Sequence, residues 1–176
     1  GGHPEYGKVP GVEASTGALG HGPAIGVGMA IAAKLNKKKY KIFVLVGDGE
    51  INEGSFWESS MIASKHKLNN FHLIIDYNKI QSYGKTREVL DLEPLRKKLA
   101  SFGYNVSDVN GHDVNKLFSY FKKIQTNKNK PTALICHTIK GKGFPFAENN
   151  PKWHHKNFFT EIEVKEIKNC LGKISL

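Results

Sequence analysis

Two stretches decide the fold, KIFVLVGDGE at residues 41–50 and FHLIIDYNKI at residues 71–80. Each opens with a short apolar, β-branched run, at 41–46 and 71–76, and then changes to glycine and polar residues. Continuous apolar runs of this length indicate strands that are buried on both faces. The polar residues that follow therefore lie where these strands end.

The rest of the chain alternates further strands with amphipathic helices. Two more strands are predicted, at 132–138 and, half-polar, at 104–109. Helices are predicted at 23–35, 55–68, 92–102, 113–125 and 161–171. This alternation predicts one α/β domain over residues 1–176, with a parallel sheet flanked by helices on both faces. Ligands of such sheets bind at the carboxyl ends of the strands.

Local signals mark the ends of three helices. Pro23 is expected to open the first, because its missing N–H costs nothing in the first turn. Ser55 and Glu58 have the spacing of a capping box. Gly103 is expected to end the third helix.

Net charge, the length of apolar runs and the cysteine spacing indicate which class of protein this is. The net charge is +10 at pH 7, but the lysines are scattered and no nucleic-acid motif accompanies them, so phosphorylated ligands fit better. No apolar run approaches 18 residues, so no membrane partner is expected. Two cysteines without metal-type spacing, and no visible signal peptide, favour a cytoplasmic protein.

Asp48 follows the first strand and Asn78 the second, one strand–helix–strand unit later. If the two strands are neighbours, both side chains emerge at the same edge of the sheet. A carboxylate and an amide oxygen are hard ligands suited to Mg²⁺ or Ca²⁺, and a backbone carbonyl just after Asn78 would add a third. Gly47 and Gly49 let the backbone approach a phosphate closely.

This pattern, Gly47-Asp48-Gly49 and then Asn78, is similar to the thiamine diphosphate signature. Further stretches resemble the transketolase family at corresponding positions: GHPE at 2–5, TGALGHG at 16–22, GSFWE at 54–58, GKG at 141–143 and WHH at 153–155. The resemblance runs from Gly2 to about His154. Because the family's diphosphate domain carries further residues before this region, N-terminal residues of the full domain are expected to be missing.

The resemblance implies roles for the residues around the cofactor. Asp48 and Asn78 would bind the metal through their side chains, and Ile80 through its backbone carbonyl. Gly49 would donate its N–H to the diphosphate. The cofactor rings would lie against the backbone of Gly17, Ala18 and Leu19, although the family often has proline at position 18.

Five further residues acquire roles from the same resemblance. His3 would contact a sugar hydroxyl, and His154 would lie near the diphosphate and substrate, with His155 beside it leaving the register open. Glu53 and Glu58 would link the two cofactor sites of a dimer. Lys140 is a candidate cofactor-binding residue, and a solvated loop charge is the alternative.

The family transfers a two-carbon ketol unit from a ketose phosphate to an aldose phosphate. Proton removal from the cofactor needs a glutamate of a separate pyrimidine-binding domain. One sheet accounts for these 176 residues, so we expect a pyrimidine-domain partner subunit, or a missing remainder of the chain, and a dimer of the assembled pair.

Other interpretations remain open at this point. Tyr83 and Lys85 depart from the residues usual in sugar transketolases, which would alter substrate choice. A synthase of the deoxyxylulose-phosphate group shares a glycine-lysine loop like residues 140–143, and a decarboxylating subunit is a related possibility. A non-catalytic cofactor-binding subunit and, on charge alone, a nucleic-acid-binding module are the non-enzymatic alternatives.

Overall fold

The structure, a computed structural model, describes residues 2–124 and 129–172. Six strands are assigned: β1 Ile42–Gly47, β2 Phe71–Tyr77, β3 Ile80–Gln81, β4 Gly84–Lys85, β5 Asn105–Asn110 and β6 Thr132–His137. Four of them form a parallel sheet in the order β1-β2-β6-β5, and β3 and β4 form an antiparallel hairpin. The four predicted strands and their parallel pairing are confirmed, with each end within one residue.

The described residues contain six α-helices: α1 His21–Leu35, α2 Gly54–Lys65, α3 Thr86–Val89, α4 Leu95–Ser101, α5 Val114–Lys123 and α6 Glu161–Leu171. Two short 3₁₀ helices cover Gly49–Asn52 and Pro151–Trp153. All five predicted helices are present, and the bounds of α6 are as predicted. The predicted end of the fourth, at Gln125, lies outside the described residues.

Three predictions about helix starts differ from the structure. Helix α1 begins at His21, ahead of Pro23. The capping box at Ser55 is wrong, because the Ser55 hydroxyl donates to the Gly20 carbonyl at 3.1 Å instead of capping α2. Helix α4 begins only at Leu95, since Pro94 disfavours a helical conformation in the residue before it.

The end of α4 is as predicted. Gly103 adopts a φ of 90°, and its N–H donates to the Ala100 carbonyl at 3.0 Å. Glycine reaches this left-handed conformation without the penalty that a Cβ imposes, which is why it ends helices.

Helices cover both faces of the sheet, as predicted. On one face α1 packs so closely that a Cβ built on Gly26 would lie 2.4 Å from Val44 Cγ2 and 3.0 Å from Phe71 Cε2. On the other face the ring of Phe43 meets Phe121 of α5 edge-on, with 5.9 Å between centroids. Because Phe43 and Val44 are adjacent in β1, they point to opposite sides, and both sides are occupied.

The core lies mainly between α1, α2 and the sheet. Its largest fully buried side chains include Phe56, Phe71, Leu73 and Ile75. Strand β1 is the edge strand next to the site, and Leu45 on it is 70% exposed. No helix in the described ranges is both long and apolar enough to cross a membrane.

Two glycines of α1 give a matched test of the close helix–sheet packing. We expect Gly26→Ala to lower the free energy of unfolding by about 1–2 kcal/mol, since overpacking costs about 1–3 kcal/mol and improved helix propensity returns part of it. Gly28 has nothing within 4 Å of a built Cβ, so Gly28→Ala should raise stability by about 0.5–1 kcal/mol. Urea unfolding of both variants measures the difference. Equal effects of the two substitutions would contradict this packing.

Candidate functional site

Parallel pairing brings the two polar strand ends together. Gly47 of β1 lies opposite Asp76 of β2, so the residues that follow leave the sheet at the same edge. The Lys79 backbone N–H donates to Asp48 Oδ2 at 2.5 Å. The side chain after β1 is therefore in direct contact with the peptide after Asn78, as the sequence predicted for this pair.

Asn78 organises the turn that follows β2. Its Oδ1 accepts from the Ile80 N–H at 3.0 Å, and its Nδ2 donates to Asp76 Oδ2 at 3.1 Å. Lys79 has a φ of 68°, and its carbonyl accepts from the Thr86 N–H at 2.9 Å. These bonds close the β3–β4 hairpin, with Ile80 buried at its base.

The Asp48 carboxylate is buried and has no cationic side chain paired with it in the described residues. The residue is 1% exposed. Burial raises its pKa, the Lys79 N–H opposes that rise, and the negative charge of Asp76 adds to it. No lysine, arginine or histidine forms an ion pair with Asp48 or Asp76 within the described residues.

The donor set at this rim suits a hard divalent cation. In residues 2–124 and 129–172 no group of three or more histidine, cysteine or acidic side chains can hold a metal, so any metal site must use other oxygens. Asp48 Oδ2 and Asn78 Oδ1 each accept one backbone N–H, and each keeps a second lone pair. The other carboxylate oxygen of Asp48 contributes further lone pairs. With a backbone carbonyl, Asp48 and Asn78 fit a Mg²⁺ site that leaves positions for phosphate oxygens.

Gly49 opens the 3₁₀ helix Gly49–Asn52 directly after Asp48. A Cβ built on it would lie 2.8 Å from Gln81 Cβ on the hairpin. Position 49 therefore needs glycine, because a side chain would push the hairpin away. Without one, the hairpin packs directly on the backbone of this turn.

A second group of predicted residues lines a cleft of about 1350 Å³ beside β1. His3, Gly17, Ala18 and Leu19 all lie along it. The ring of His3 packs on Gly17, where a Cβ would come within 2.6 Å of its Cδ2, and Gly17 has a φ of 150°. The structure thus brings these four residues together in the segments before α1.

Three carboxylates lie in and before α2, and of these Glu50 lines the cleft. Glu53 precedes α2, and its Cβ lies against Gly20, while Glu58 is exposed on the helix. Glu50, which received no predicted role, accepts the Gly20 N–H at 2.9 Å. Burial raises the pKa of Glu50, and the N–H of Gly20 opposes that rise. The sequence analysis missed Glu50, because its partner Gly20 is 30 residues away along the chain.

The loop after β6 comes back to the hairpin. His154 Nε2 lies 3.2 Å from Ser82 Oγ, and His155 Nε2 lies 3.0 Å from the same oxygen. The pKa of His154 is lowered, first by burial and then by the positive charges of Lys140 and His155. Lys140 and His154 therefore lie in one neighbourhood. Ser82 carried no motif signal and was missed by the sequence.

Comparison with known proteins identifies the same family that the sequence motifs resemble. The family model described as "Transketolase, thiamine diphosphate binding domain" matches residues 1–174. One subunit of the apulose-4-phosphate transketolase of Phocaeicola vulgatus is 47% identical over 154 residues, covering 88% of this chain and 54% of the relative. The protein of the same name from Actinobacillus succinogenes is 45% identical over 171 residues, covering 96% and 62%. The chain thus spans little more than half the length of these relatives.

The fold agrees with solved structures. Transketolase from Campylobacter jejuni superposes with a TM-score of 0.82 at 33% identity, over 94% of this chain and 27% of that one. Because nearly all of this chain is covered, the likeness extends over the sheet and the helices on both of its faces. The chain belongs to the transketolase family, as its thiamine diphosphate binding domain.

Proposed function

We propose that this chain holds the diphosphate of thiamine diphosphate through a divalent cation, as a component of a transferase that moves a two-carbon ketol unit between sugar phosphates. The observation that carries the proposal is the contact between Asp48 and the Asn78–Lys79 peptide at one rim of the sheet. A buried carboxylate without a cationic side chain is stabilised when a metal neutralises it.

The residues at this rim have distinct tasks in the proposal. Asp48, Asn78 and the Ile80 carbonyl would hold Mg²⁺ or Ca²⁺, which would neutralise negative charge on the phosphates. The N–H of Gly49 donates to the diphosphate, and Gly49 has no side chain of its own to hinder a close approach. When bound, thiamine diphosphate supplies the carbanion chemistry, and the protein supplies binding, orientation and electrostatics.

The neighbouring groups orient the cofactor and the sugar. The backbone of Gly17, Ala18 and Leu19 supports the cofactor rings, next to the cleft that also holds His3. His3 hydrogen-bonds a sugar hydroxyl from that position. Glu53 and Glu58 connect two cofactor sites across an interface of the assembled enzyme.

Lys140 and His154 add positive charge and a hydrogen-bond donor beside the hairpin that follows the proposed metal ligands. Both groups favour an anionic ligand, because a lysine and an imidazole N–H donate to phosphate oxygens. His154 lies close to Ser82 of that hairpin, and this contact supports a role for His154 near the diphosphate.

Activity requires a second polypeptide or domain in this proposal. Both relatives are named as single subunits of a transketolase, which supports a split enzyme in which a pyrimidine-binding subunit carries the glutamate for proton removal. Two such pairs form the dimer. The same names specify apulose 4-phosphate, so that sugar phosphate is the first substrate to test, beside ordinary ketose phosphates.

The metal assignment is tested by Asp48→Ala in the assembled enzyme. We expect Mg²⁺-dependent affinity for thiamine diphosphate to fall about 100-fold or more, because loss of even an outer partner of a metal ligand costs about 10- to 100-fold. Titration calorimetry measures the affinity. Glu166→Gln on α6 removes another carboxylate charge and should leave binding unchanged. Cofactor binding by Asp48→Ala as tight as in the parent would show that the metal assignment is wrong.

The partner requirement is tested by comparing the purified chain with a mixture containing the pyrimidine-domain subunit. We expect residues 1–176 alone to transfer no ketol unit, because they match the thiamine diphosphate binding domain, whereas in this proposal the glutamate that deprotonates the cofactor belongs to the pyrimidine-binding subunit. Product analysis with ketose phosphate and keto-acid donors measures activity, and it also separates a transketolase from a synthase or decarboxylase. Turnover by the purified chain alone would contradict this view.

A further inference from the structure

Three side chains from two distant segments meet at the tip of the β3–β4 hairpin. Ser82 lies in the turn of the hairpin, and His154 and His155 follow the 3₁₀ helix Pro151–Trp153. Both imidazoles direct Nε2 at the same hydroxyl oxygen, at 3.2 Å for His154 and 3.0 Å for His155. The two rings also meet edge-on, with 4.4 Å between their centroids.

The number of protons limits how this cluster can hydrogen-bond. A hydroxyl donates once, and a neutral imidazole carries a proton on one ring nitrogen and a lone pair on the other. The hydroxyl also has two lone pairs, so Ser82 either donates to one histidine and accepts from the other, or accepts from both while its own proton bonds solvent. In the first arrangement, which keeps the Ser82 proton inside the cluster, the two histidines hold their protons on opposite ring nitrogens.

The surroundings of His154 decide between the two directions. Its Nδ1 is buried and has no hydrogen-bond partner within the described residues. A proton on Nδ1 would be a buried donor without an acceptor, a state that folded proteins rarely contain. His155 is exposed, so a proton on its Nδ1 is free to bond water.

We propose that Ser82 fixes the direction of both hydrogen bonds in this cluster. His154 is protonated on Nε2 and donates to Ser82, and Ser82 donates to Nε2 of His155. Ser82 and His155 are then positioning residues. They hold the His154 ring as an N–H donor beside the hairpin that carries Asn78 and Ile80. The lowered pKa of His154 agrees with a neutral ring in this position.

This use of the cluster rests on the proposed function. The direction of the two hydrogen bonds gives the adjacent histidines different tasks. His154 presents its Nε2–H to an anionic oxygen of a phosphorylated ligand, and Ser82 keeps that donor in place until the ligand binds. His155 only accepts from Ser82. The cluster also ties the loop around residues 140–155 to the turn that follows the proposed metal ligands.

The proton positions are measured by NMR of the ¹⁵N-histidine-labelled chain at about pH 8, above the ordinary histidine pKa of about 6.5. Ring-nitrogen shifts separate protonated from unprotonated nitrogens, and His154→Gln and His155→Gln assign the signals. We expect His154 protonated on Nε2 and His155 on Nδ1, with His155 favouring that form about fivefold, the ratio that one net hydrogen bond sets. Ser82→Ala should abolish the His155 preference, and Ser82→Thr should keep it.

Protonation of both histidines on the same ring nitrogen, or an unchanged His155 in Ser82→Ala, would overturn the proposal. The wild-type spectrum alone decides the first point, even if a variant folds poorly. Because no cofactor is present, failure here leaves the calorimetric test of Asp48 untouched, and failure of that test leaves the proton positions standing. In the assembled enzyme, Ser82→Ala should lower kcat about tenfold, with Ser82→Thr restoring it.

Discussion

The parallel register between β1 and β2 is the constraint on which the candidate site depends. With Gly47 opposite Asp76, the carboxylate of Asp48 accepts the N–H that follows Asn78. A slip of one residue would turn every side chain of one strand to the opposite face and would break that bond. The same bond anchors the start of the β3–β4 hairpin, so the position of Ser82 and its two histidines also follows from this pairing.

The strands and the central polar pair could be predicted from the sequence. Strands β2 and β6 are continuous apolar runs that the sheet buries, as predicted. The prediction that β1 is buried on both faces is wrong, because β1 is an edge strand with half of its residues exposed. The strand bounds still fell within one residue, because the composition changes where each strand ends. Asp48 and Asn78 became candidate metal ligands because parallel topology sends neighbouring strand ends to one edge. The residues of the cleft, His3 and Gly17 among them, came from family resemblance, since nothing in their composition predicts their contact.

What the sequence could not predict depends on partners that are far away along the chain. Ser55 has the spacing of a cap, yet its hydroxyl bonds Gly20 on another segment. Glu50 bonds the same residue, and Ser82 meets His154 only after the chain has folded back. Local spacing shows which hydrogen bonds a side chain could form, and tertiary packing decides which of them does form. The contacts of Ser55, Glu50 and Ser82 are all decided by tertiary packing.

The open edge of β1 has a consequence for work with the isolated chain. Strand edges with apolar side chains such as Leu45 offer backbone donors and acceptors to any other extended polypeptide. A net charge of +10 keeps copies apart at low ionic strength, and salt weakens that repulsion. Preparations should therefore become more turbid as salt is added, and gradual loss of material in concentrated buffers is to be read as edge-to-edge association before it is read as unfolding.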